Sequence, residues 1–364
     1  MESAAVIPDT QTSVLIGPSE RDLTTIPVGK PGPDEVLIKN VAVAANPKDW
    51  KASQWLYQAG EKFVEGNDVA GTIVAVGEGV SEYKIGARVA AFTKMATKDN
   101  KYGAYQEYTV APASTTFPIP NSVPFEEAAS LPLAVMTAAL GLFLHLGIAA
   151  PDTPEAASNV GKAIIINGAA TSVGAFAVQL AKRAGLFVVG TAGASKAYAK
   201  ELGADVVVDY RDYEGDAILD ALSSAVGGRP TSWAYDAVSE HGSELLFARA
   251  LDKIAKESNV TAPLRLTYLN QPAEEEAKKF PSSVSSKNTF VGTAYGEHEK
   301  FAASFYRKIS LWLADSVNPF KCNPPKIMPG GLADVAEGLG LLINGKVHGE
   351  KLVFRIADTP GLKA

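Results

Sequence analysis

The fold is decided by residues 164–182, which read IIINGAATSVGAFAVQLAK. The three isoleucines at 164–166 form a short apolar run typical of a buried strand. From Ala175 to Lys182 the apolar residues recur at helical spacing, and between the two segments lies a turn of small residues that begins at Gly168. The stretch therefore predicts a strand, a tight turn and a helix in succession.

This turn is similar to the three-glycine fingerprint of dinucleotide-binding proteins. In the fingerprint the glycines allow a tight turn, close approach of the backbone to a pyrophosphate, and close packing of helix on strand. Gly168, Thr171 and Gly174 hold those places, so threonine replaces the middle glycine. Because the N–H groups and the dipole of a helix N-terminus attract phosphate, and because further strand–helix units follow, we favour a nucleotide site over a plain tight turn.

Length and composition narrow the classes of function. A chain of 364 residues is of a size for two domains, and its 46% hydrophobic and 20% charged residues are typical of a globular protein. A net charge of -6 and the lack of a dense basic run argue against nucleic acid as a ligand. The single cysteine, Cys322, excludes an intramolecular disulfide and a zinc site built from several cysteines.

One segment could be mistaken for a membrane span. Residues 131–150 are nearly long and apolar enough, but they contain Pro132, Thr137 and His145 and lack flanking lysine or arginine anchors. We therefore predict a buried core helix there. The N-terminal residues have neither the basic start nor the apolar core of a secretory signal, so we expect a cytoplasmic protein with no membrane contact.

The organisation changes near residues 117–124, FPIPNSVP. Before them the chain reads as all-β; after them short apolar strands alternate with helices, which predicts a parallel sheet with helices on both faces. The predicted strands are 35–46, 69–80, 86–92, 103–110, 164–167, 187–193, 205–210, 232–238, 289–296 and 350–356. The predicted helices are 172–185, 195–202, 214–226 and 332–343, and residues 271–288 read as a helical turn plus loop.

The end of the second strand of the alternating region indicates which nicotinamide cofactor binds. NAD enzymes usually place an acidic residue there to hold the ribose 2′-hydroxyl. The segment Thr191–Lys196 has none, and Ser195 and Lys196 could instead bind a 2′-phosphate through a hydrogen bond and a charge. NADPH is therefore the predicted cofactor. In the alternative interpretation Ser195 only caps a helix and Lys196 lies on the surface.

With these residues in view, the chain resembles the medium-chain dehydrogenase/reductase superfamily over essentially its whole length. The resemblance is strongest in residues 66–92, residues 128–142 and the turn at Gly168. It implies an α/β protein with two domains. A GroES-like, β-rich catalytic domain would comprise 1–125 and 300–364, and a doubly wound parallel-sheet (Rossmann) domain would comprise 126–299.

The chain departs from the zinc alcohol dehydrogenases of that superfamily. Where they have a cysteine ligand it has Asn46-Pro47-Lys48-Asp49, and where they have Gly-His-Glu it has Gly66-Asn67-Asp68. Cys322 and four scattered histidines do not supply the three ligands that catalytic zinc needs, so no metal is predicted. The chain is more similar to the zinc-free quinone and enoyl reductases. In the turn with Thr171, in Lys48-Asp49-Trp50-Lys51 and in residues 349–353, GEKLV, it looks most like the fungal trans-acting enoyl reductases that assist polyketide synthases, and their ToxD-like relatives.

By position, the resemblance implies the residues of the site. For the cofactor they are Lys48, Asp49, Trp50, Lys51, Gly168, Ala170, Thr171, Ser172, Val173, Gly174, Ser195, Lys196, Tyr210, Leu269, Asn270, His348 and Gly349. For the substrate they are Thr137, Ala139, Leu140, Phe143, Gly292, Thr293, Ala294, Tyr295 and Gly296.

The reaction that fits a metal-free site is conjugate reduction. A hydride adds to the β carbon of an α,β-unsaturated carbonyl, charge collects on the oxygen, and a nearby donor stabilises it. Lys51 is the candidate donor, expected at a cleft between the domains if the geometry of the resembled family holds, and Asn46 could orient the ribose or the enolate. Lys51 could equally be an exposed lysine. Tyr57, Tyr295 or water could supply the proton.

Three functions remain open from the sequence. The first is an NADPH-dependent enoyl reductase, with a polyketide synthase acyl carrier domain as a candidate partner. The second is a free-standing quinone or 2-alkenal reductase. The third is a non-catalytic scaffold that kept the fold. The protein could be a monomer, or a homodimer formed by edge-to-edge pairing of the strand at 289–296.

Overall fold

The computed structural model describes residues 6–362, and within them the chain forms sixteen strands and ten α-helices. The strands are β1 (Thr10–Ile16), β2 (Arg21–Pro27), β3 (Glu35–Ala44), β4 (Phe63–Val64), β5 (Asp68–Val76), β6 (Arg88–Phe92), β7 (Tyr108–Pro112), β8 (Thr116–Pro118), β9 (Ala163–Asn167), β10 (Phe187–Ala192), β11 (Val206–Asp209), β12 (Thr231–Asp236), β13 (Leu264–Tyr268), β14 (Val284–Asn288), β15 (Pro325–Met328) and β16 (Lys351–Arg355).

The helices are α1 (Lys48–Leu56), α2 (Phe125–Ala128), α3 (Pro132–Ala139), α4 (Ser172–Arg183), α5 (Lys196–Glu201), α6 (Ala217–Val226), α7 (Ser243–Glu257), α8 (Glu274–Ala277), α9 (Glu299–Ala314) and α10 (Val335–Ile343). A π-helical turn at Leu140–His145 continues α3.

The chain separates into two units. Unit 1 comprises residues 1–133 and 292–364, and unit 2 comprises residues 134–291. The domain boundaries predicted from the sequence lie eight residues away at each junction, at 125 rather than 133 and at 299 rather than 291.

Unit 2 is built on a six-stranded sheet in the order β11-β10-β9-β12-β13-β14, and every neighbouring pair in it is parallel. Counted from β9, this is the order 3-2-1-4-5-6 of doubly wound dinucleotide-binding sheets. Ile164, Ile165 and Ile166 are fully buried, as expected for the central strand. The prediction of a parallel sheet flanked by helices is confirmed.

The structure corrects the sequence prediction at two strands of this sheet, β13 and β14. Residues 289–296, predicted as a strand, contain a 3-10 helix at Val291–Tyr295. The edge strand is instead β14, in a segment predicted as a helical turn plus loop. Its sequence VSSKN is polar because an edge strand exposes most of its side chains, so it lacks the apolar signal of a buried strand. Strand β13 was not predicted either.

Unit 1 is dominated by a seven-stranded sheet in the order β15-β16-β3-β5-β6-β8, with β7 paired to β3, and by a three-stranded sheet β2-β1-β4. The prediction that the first 120 residues are all-β is wrong at α1, which follows directly after β3. Strand β16 enters the sheet beside β3 although the two strands are about three hundred residues apart in sequence. This return of the C-terminal chain assembles part of the candidate site.

The apolar segment that could be mistaken for a membrane span lies largely in the helical run Phe125–His145. This run of 21 residues is long and apolar enough to cross a membrane. An 18-residue stretch within it has a mean hydropathy of 1.7, but 89% of that stretch is buried inside the protein. It is therefore packed as a core helix is.

Candidate functional site

The turn between β9 and α4 in unit 2 has the geometry of a nucleotide-binding turn. Gly168 has a φ of +66°, which favours glycine, and a Cβ on Gly174 would lie 2.0 Å from the carbonyl oxygen of Gly168. Thr171 is the N-cap of α4, and its hydroxyl accepts a 3.1 Å hydrogen bond from the N–H of Gly174. The threonine at the middle-glycine position therefore stabilises the helix end that would face a phosphate.

A chain of hydrogen bonds crosses the carboxyl ends of the parallel strands. Thr191 at the end of β10 donates to the Asn167 Oδ1 over 2.6 Å. Asn167 at the end of β9 in turn donates to the Asp236 Oδ1 at the end of β12 over 2.7 Å. We call Asn167, Thr191, Asp236 and Ser239 the carboxyl-edge network. Ligands of open α/β sheets bind at this edge of the sheet.

Asp236 and Ser239 extend this network to β13. The Asp236 carboxylate accepts N–H groups of Val238 and Ser239, both over 3.0 Å, and the Ser243 hydroxyl over 2.6 Å. Ser239 has a φ of +54°, which is strained for a residue with a side chain. Its hydroxyl accepts the N–H of Leu269 over 2.7 Å, and its carbonyl accepts the Asn270 side chain over 3.2 Å. Leu269 and Asn270, two predicted cofactor residues, thus lie beside the network.

The ends of β10 and β11 carry exposed cations beside one carboxylate. Lys196 Nζ lies 3.1 Å from the Asp209 Oδ2, and Arg211 forms hydrogen bonds of 2.8 and 2.7 Å to the two oxygens of the same carboxylate. The hydrogen bonds from Arg211 and Lys196 lower the pKa of Asp209 well below its usual range. Tyr210 is half exposed, and a Cβ on Gly193 would lie 3.0 Å from its hydroxyl oxygen. This edge therefore presents positive charge and a phenol to solvent.

Three buried polar residues form a candidate site within unit 1. The ammonium of Lys351 lies 2.6 Å from the Asn46 Oδ1 and 3.1 Å from the Asp68 Oδ2. Asn46 Nδ2 donates to the Asp68 Oδ2 over 2.8 Å. We call Asn46, Asp68 and Lys351 the Lys351 cluster. Burial raises the pKa of Asp68, and the positive charge of Lys351 opposes that shift.

The start of α1 forms a neighbouring buried network. Asp49 is fully buried and accepts the N–H of Asn46 over 2.8 Å and the Tyr105 phenol over 2.6 Å. Lys48 pairs with Glu65 at 2.6 Å. Burial lowers the pKa of Lys48, but the negative charges of Glu65 and Asp49 outweigh burial and raise it above the usual range.

Tyr57 donates a short hydrogen bond to Glu65 in the same network. Burial, followed by the charge of Glu65, raises the pKa of the Tyr57 phenol far above 10. The phenol therefore stays protonated at neutral pH.

The remaining predicted cofactor residues of unit 1 lie nearer the surface. Trp50 and Lys51 are half-buried on α1, with the Lys51 ammonium 5.6 Å from the centre of the Trp50 ring. His348 is exposed, and Gly349, with a φ of +66°, precedes β16.

The predicted substrate residues lie in both units. Thr137, Ala139, Leu140 and Phe143 are buried in unit 2, where the Tyr235 phenol donates to the carbonyl of Thr137 over 2.9 Å. Gly292 to Gly296 belong to unit 1. There the Tyr295 phenol accepts the N–H of Met95 over 2.8 Å, and burial raises the pKa of Tyr295 to about 12.

The residues at the positions of the zinc-ligand motifs do not fit zinc. Asn46 and Asn67 offer only neutral amides, and the carboxylate of Asp68 is paired with an ammonium. Among residues 6–362, no group of three or more histidine, cysteine, aspartate or glutamate side chains could hold a metal ion.

Sequence reasoning did not identify several of these residues. The residues that it did not assign to a site are Asn167, Asp236, Ser239, Glu65, Arg211 and Lys351. A polar residue ending an apolar parallel strand was the available signal for Asn167 and Asp236. For Lys351 there was none, because its partners lie on distant parts of the chain.

Comparison with known proteins agrees with the geometry of both units. Residues 32–121 match the alcohol dehydrogenase GroES-like domain, and residues 172–305 match the zinc-binding dehydrogenase family. The chain is 30% identical to the trans-enoyl reductase fsr4 of Gibberella fujikuroi, covering 84% of this chain and 86% of the relative. It is 32% identical to the trans-enoyl reductase caaB of Aspergillus niger, covering 96% and 98%.

Solved structures share the fold. A mycobacterial protein complexed with NADPH is 23% identical, with a TM-score of 0.72 over 95% of this chain and 99% of the other. The fold with a GroES-like domain and a Rossmann sheet is thereby confirmed, as is the predicted resemblance to fungal enoyl reductases. The chain belongs to the medium-chain dehydrogenase/reductase superfamily and is similar over most of its length to fungal trans-enoyl reductases.

Proposed function

We propose that this protein is a zinc-independent, NADPH-dependent enoyl reductase that reduces an α,β-unsaturated thioester, acting in trans on a chain carried by a polyketide synthase. The observation that carries the proposal is its similarity, over 84% and 96% of its length, to two enzymes named trans-enoyl reductases. A cytoplasmic location, and a monomer or a homodimer, belong to the same proposal; pairing through residues 289–296 does not, because these residues contain a 3-10 helix rather than an edge strand.

The residues of unit 2 support NADPH as the cofactor. The capped N-terminus of α4 suits the diphosphate, and the carboxyl-edge network would form the floor of the site. Lys196 suits a 2′-phosphate because it follows β10, where NAD enzymes place an acid, and Arg211 adds positive charge after the neighbouring strand β11. Ser195 and Tyr210 lie on the same edge and supply hydroxyl groups.

The residues of unit 1 support reduction without a metal. Bound NADPH supplies a hydride for the β carbon of the substrate. Asn46 can donate to the oxygen on which negative charge develops, because one of its Nδ2 hydrogens remains after the bond to Asp68. Lys51 is a second donor candidate, and Lys51, Tyr295 or water can provide the proton that the α carbon receives.

The experiment is turnover of three substrates with NADPH carrying deuterium at C4. They are an enoyl thioester on an acyl carrier domain, the same enoyl group on a small thiol, and a quinone. We expect the carrier-bound thioester to react fastest and the deuterium to appear at the β carbon. Preference for the quinone would instead support a free-standing quinone or 2-alkenal reductase. An absence of NADPH binding in a fluorescence titration would support a non-catalytic scaffold.

A further inference from the structure

The Lys351 ammonium is placed where lysines are rarely found. Its side chain is 3% exposed, and that of its partner Asp68 is fully buried. Lysine is almost never this deeply buried unless it is paired, because removal of an ammonium group from water is costly. A group held at such a cost has a specific role in the site or in the fold.

The cluster joins four separate parts of unit 1. Asn46 follows β3, Asp68 begins β5 and Lys351 begins β16. Asp68 also accepts the N–H of Leu133 in the first turn of α3 through its Oδ1, over 2.6 Å. Because Lys351 holds both Asn46 and Asp68, its ammonium is the cation at the centre of this junction.

Only one of these three residues stands where the zinc alcohol dehydrogenases have the cysteine ligand, and that residue is Asn46. Asp68 stands at the glutamate of their Gly-His-Glu, whereas Asn67, at the histidine, lies outside the cluster and donates to the carbonyls of Thr93 and Lys94. We propose that the Lys351 ammonium is the built-in cation of this cluster, and that Lys351 is thereby a positioning residue for the Asn46 carboxamide.

The orientation of that carboxamide follows from the chemistry of its two partners. An ammonium only donates hydrogen bonds and a carboxylate only accepts them, so the oxygen of Asn46 must face Lys351 and its nitrogen must face Asp68. In a flipped amide the NH2 group would face the ammonium, which is also a donor, and the oxygen would face the carboxylate, which is also an acceptor. The ammonium also polarises the amide, which makes the remaining Nδ2 hydrogen a stronger donor. This last step rests on the proposed function, whereas the cation role does not.

Chemical rescue of Lys351→Ala tests the cation role directly. The variant leaves a buried carboxylate without its partner, so we expect its melting temperature to fall by about 10 °C. Methylammonium chloride should raise that temperature by several degrees and in a saturable way. Tetramethylammonium chloride, which has no N–H group, should not. Wild type and Lys326→Ala should show no such difference, because Lys326 on the neighbouring strand β15 forms only an exposed pair with Glu350.

A double variant keeps the test decisive if Lys351→Ala does not fold. Lys351→Met with Asp68→Asn removes both charges, so we expect it to melt well above Lys351→Met alone. Equal melting temperatures of these two variants, absence of methylammonium rescue in a folded Lys351→Ala, or stoichiometric zinc bound to Asp68 in the purified wild type would each overturn the cation role.

Kinetics test the positioning role. With the enoyl thioester as substrate, Lys351→Ala should lose about tenfold in kcat with KM nearly unchanged, and methylammonium should restore kcat. A general loss of structure would instead reduce the active fraction without such rescue. Unchanged kcat in a folded variant would overturn the positioning role. Failure of the proposed function is distinguishable, since the wild type would then reduce no enoyl substrate while the melting experiments would be unaffected.

Discussion

Asn167 donates a 2.7 Å hydrogen bond to Asp236 and so joins the carboxyl ends of two adjacent parallel strands, β9 and β12. Both residues lie where the strand order reverses, because β10 and β12 flank β9 on opposite sides. That reversal is the position at which open α/β sheets bind nucleotides. The bond therefore rigidifies the sheet at the candidate cofactor site.

Asp236→Ala should damage both stability and cofactor binding. Asp236 is fully buried, and its carboxylate accepts four hydrogen bonds, from Asn167, Val238, Ser239 and Ser243. Loss of a buried, charged acceptor should lower the free energy of unfolding by about 3 kcal/mol, measured by urea denaturation, and should weaken NADPH binding. Asp212→Ala, at an exposed site, is the control and should change unfolding by less than about 0.5 kcal/mol. Equal behaviour of the two variants would contradict this role.

Thr171→Val should cost about 1 kcal/mol of stability, because the nearly isosteric side chain cannot accept the N–H of Gly174. Thr171→Ser keeps the hydroxyl and should retain most of the cap. Urea denaturation measures both, and NADPH titration reports whether the loosened helix end binds phosphate less well. A valine variant as stable as the serine variant would show that the cap is not needed.

Gly174→Ala should be strongly destabilising, since its methyl group would lie 2.0 Å from the carbonyl oxygen of Gly168. The helix would have to move away from β9, and the turn with it. Gly340→Ala on α10 is the matched control, because no atom lies within 4 Å of its added Cβ. There alanine should stabilise the helix by roughly 0.5–1 kcal/mol. In thermal unfolding we expect the melting temperature to fall for Gly174→Ala and to rise for Gly340→Ala.

Lys196→Ala should reduce affinity for NADPH about tenfold and leave affinity for NADH almost unchanged, because only NADPH carries a 2′-phosphate. Fluorescence titration with each cofactor measures the two dissociation constants. Lys200→Ala serves as the control, because Lys200 lies on the surface of the same helix as Lys196 and its ammonium donates to the Asp205 carbonyl. If Lys196→Ala lost affinity for both cofactors equally, its side chain would not be selecting the phosphate.

Glu35→Gln should destabilise unit 1 at neutral pH and not at strongly acidic pH. Burial raises the pKa of Glu35, but hydrogen bonds from Lys94, Tyr102 and the N–H of Gly32 outweigh it and lower the pKa from 4.5 to about 2. Since the folded value is lower than the unfolded value, the carboxylate stabilises the fold above pH 4.5, and this contribution is lost as the pH falls towards 2.

The measurement for Glu35 is the difference in unfolding free energy between wild type and variant across that pH range. We expect the difference to shrink steadily as the pH falls from neutral to 2. Glu78→Gln, at an exposed position, should show no comparable trend. A difference for Glu35→Gln that stays constant with pH would mean that its charge contributes nothing.

Local patterns in the sequence determined much of unit 2. The isoleucines of β9, the small residues of the turn and the apolar spacing of α4 are contiguous, so they specify strand, turn and helix directly. The same reasoning failed at β14, because an exposed edge strand with sequence VSSKN carries no apolar alternation. It also missed α1, which lies within a β-rich region.

Only the tertiary structure decided which polar residues meet. Lys351 and Asn46 are separated by 305 positions, and their contact exists because β16 returns to pair with β3. The carboxyl-edge network likewise depends on the order of strands in the sheet, which side-chain periodicity does not encode. The sequence by itself determined β9, the tight turn after it and α4, because short-range backbone preferences and burial govern these contiguous elements. Pairing of strands that are distant in sequence placed the Lys351 ammonium beside the Asn46 amide and the Asp68 carboxylate.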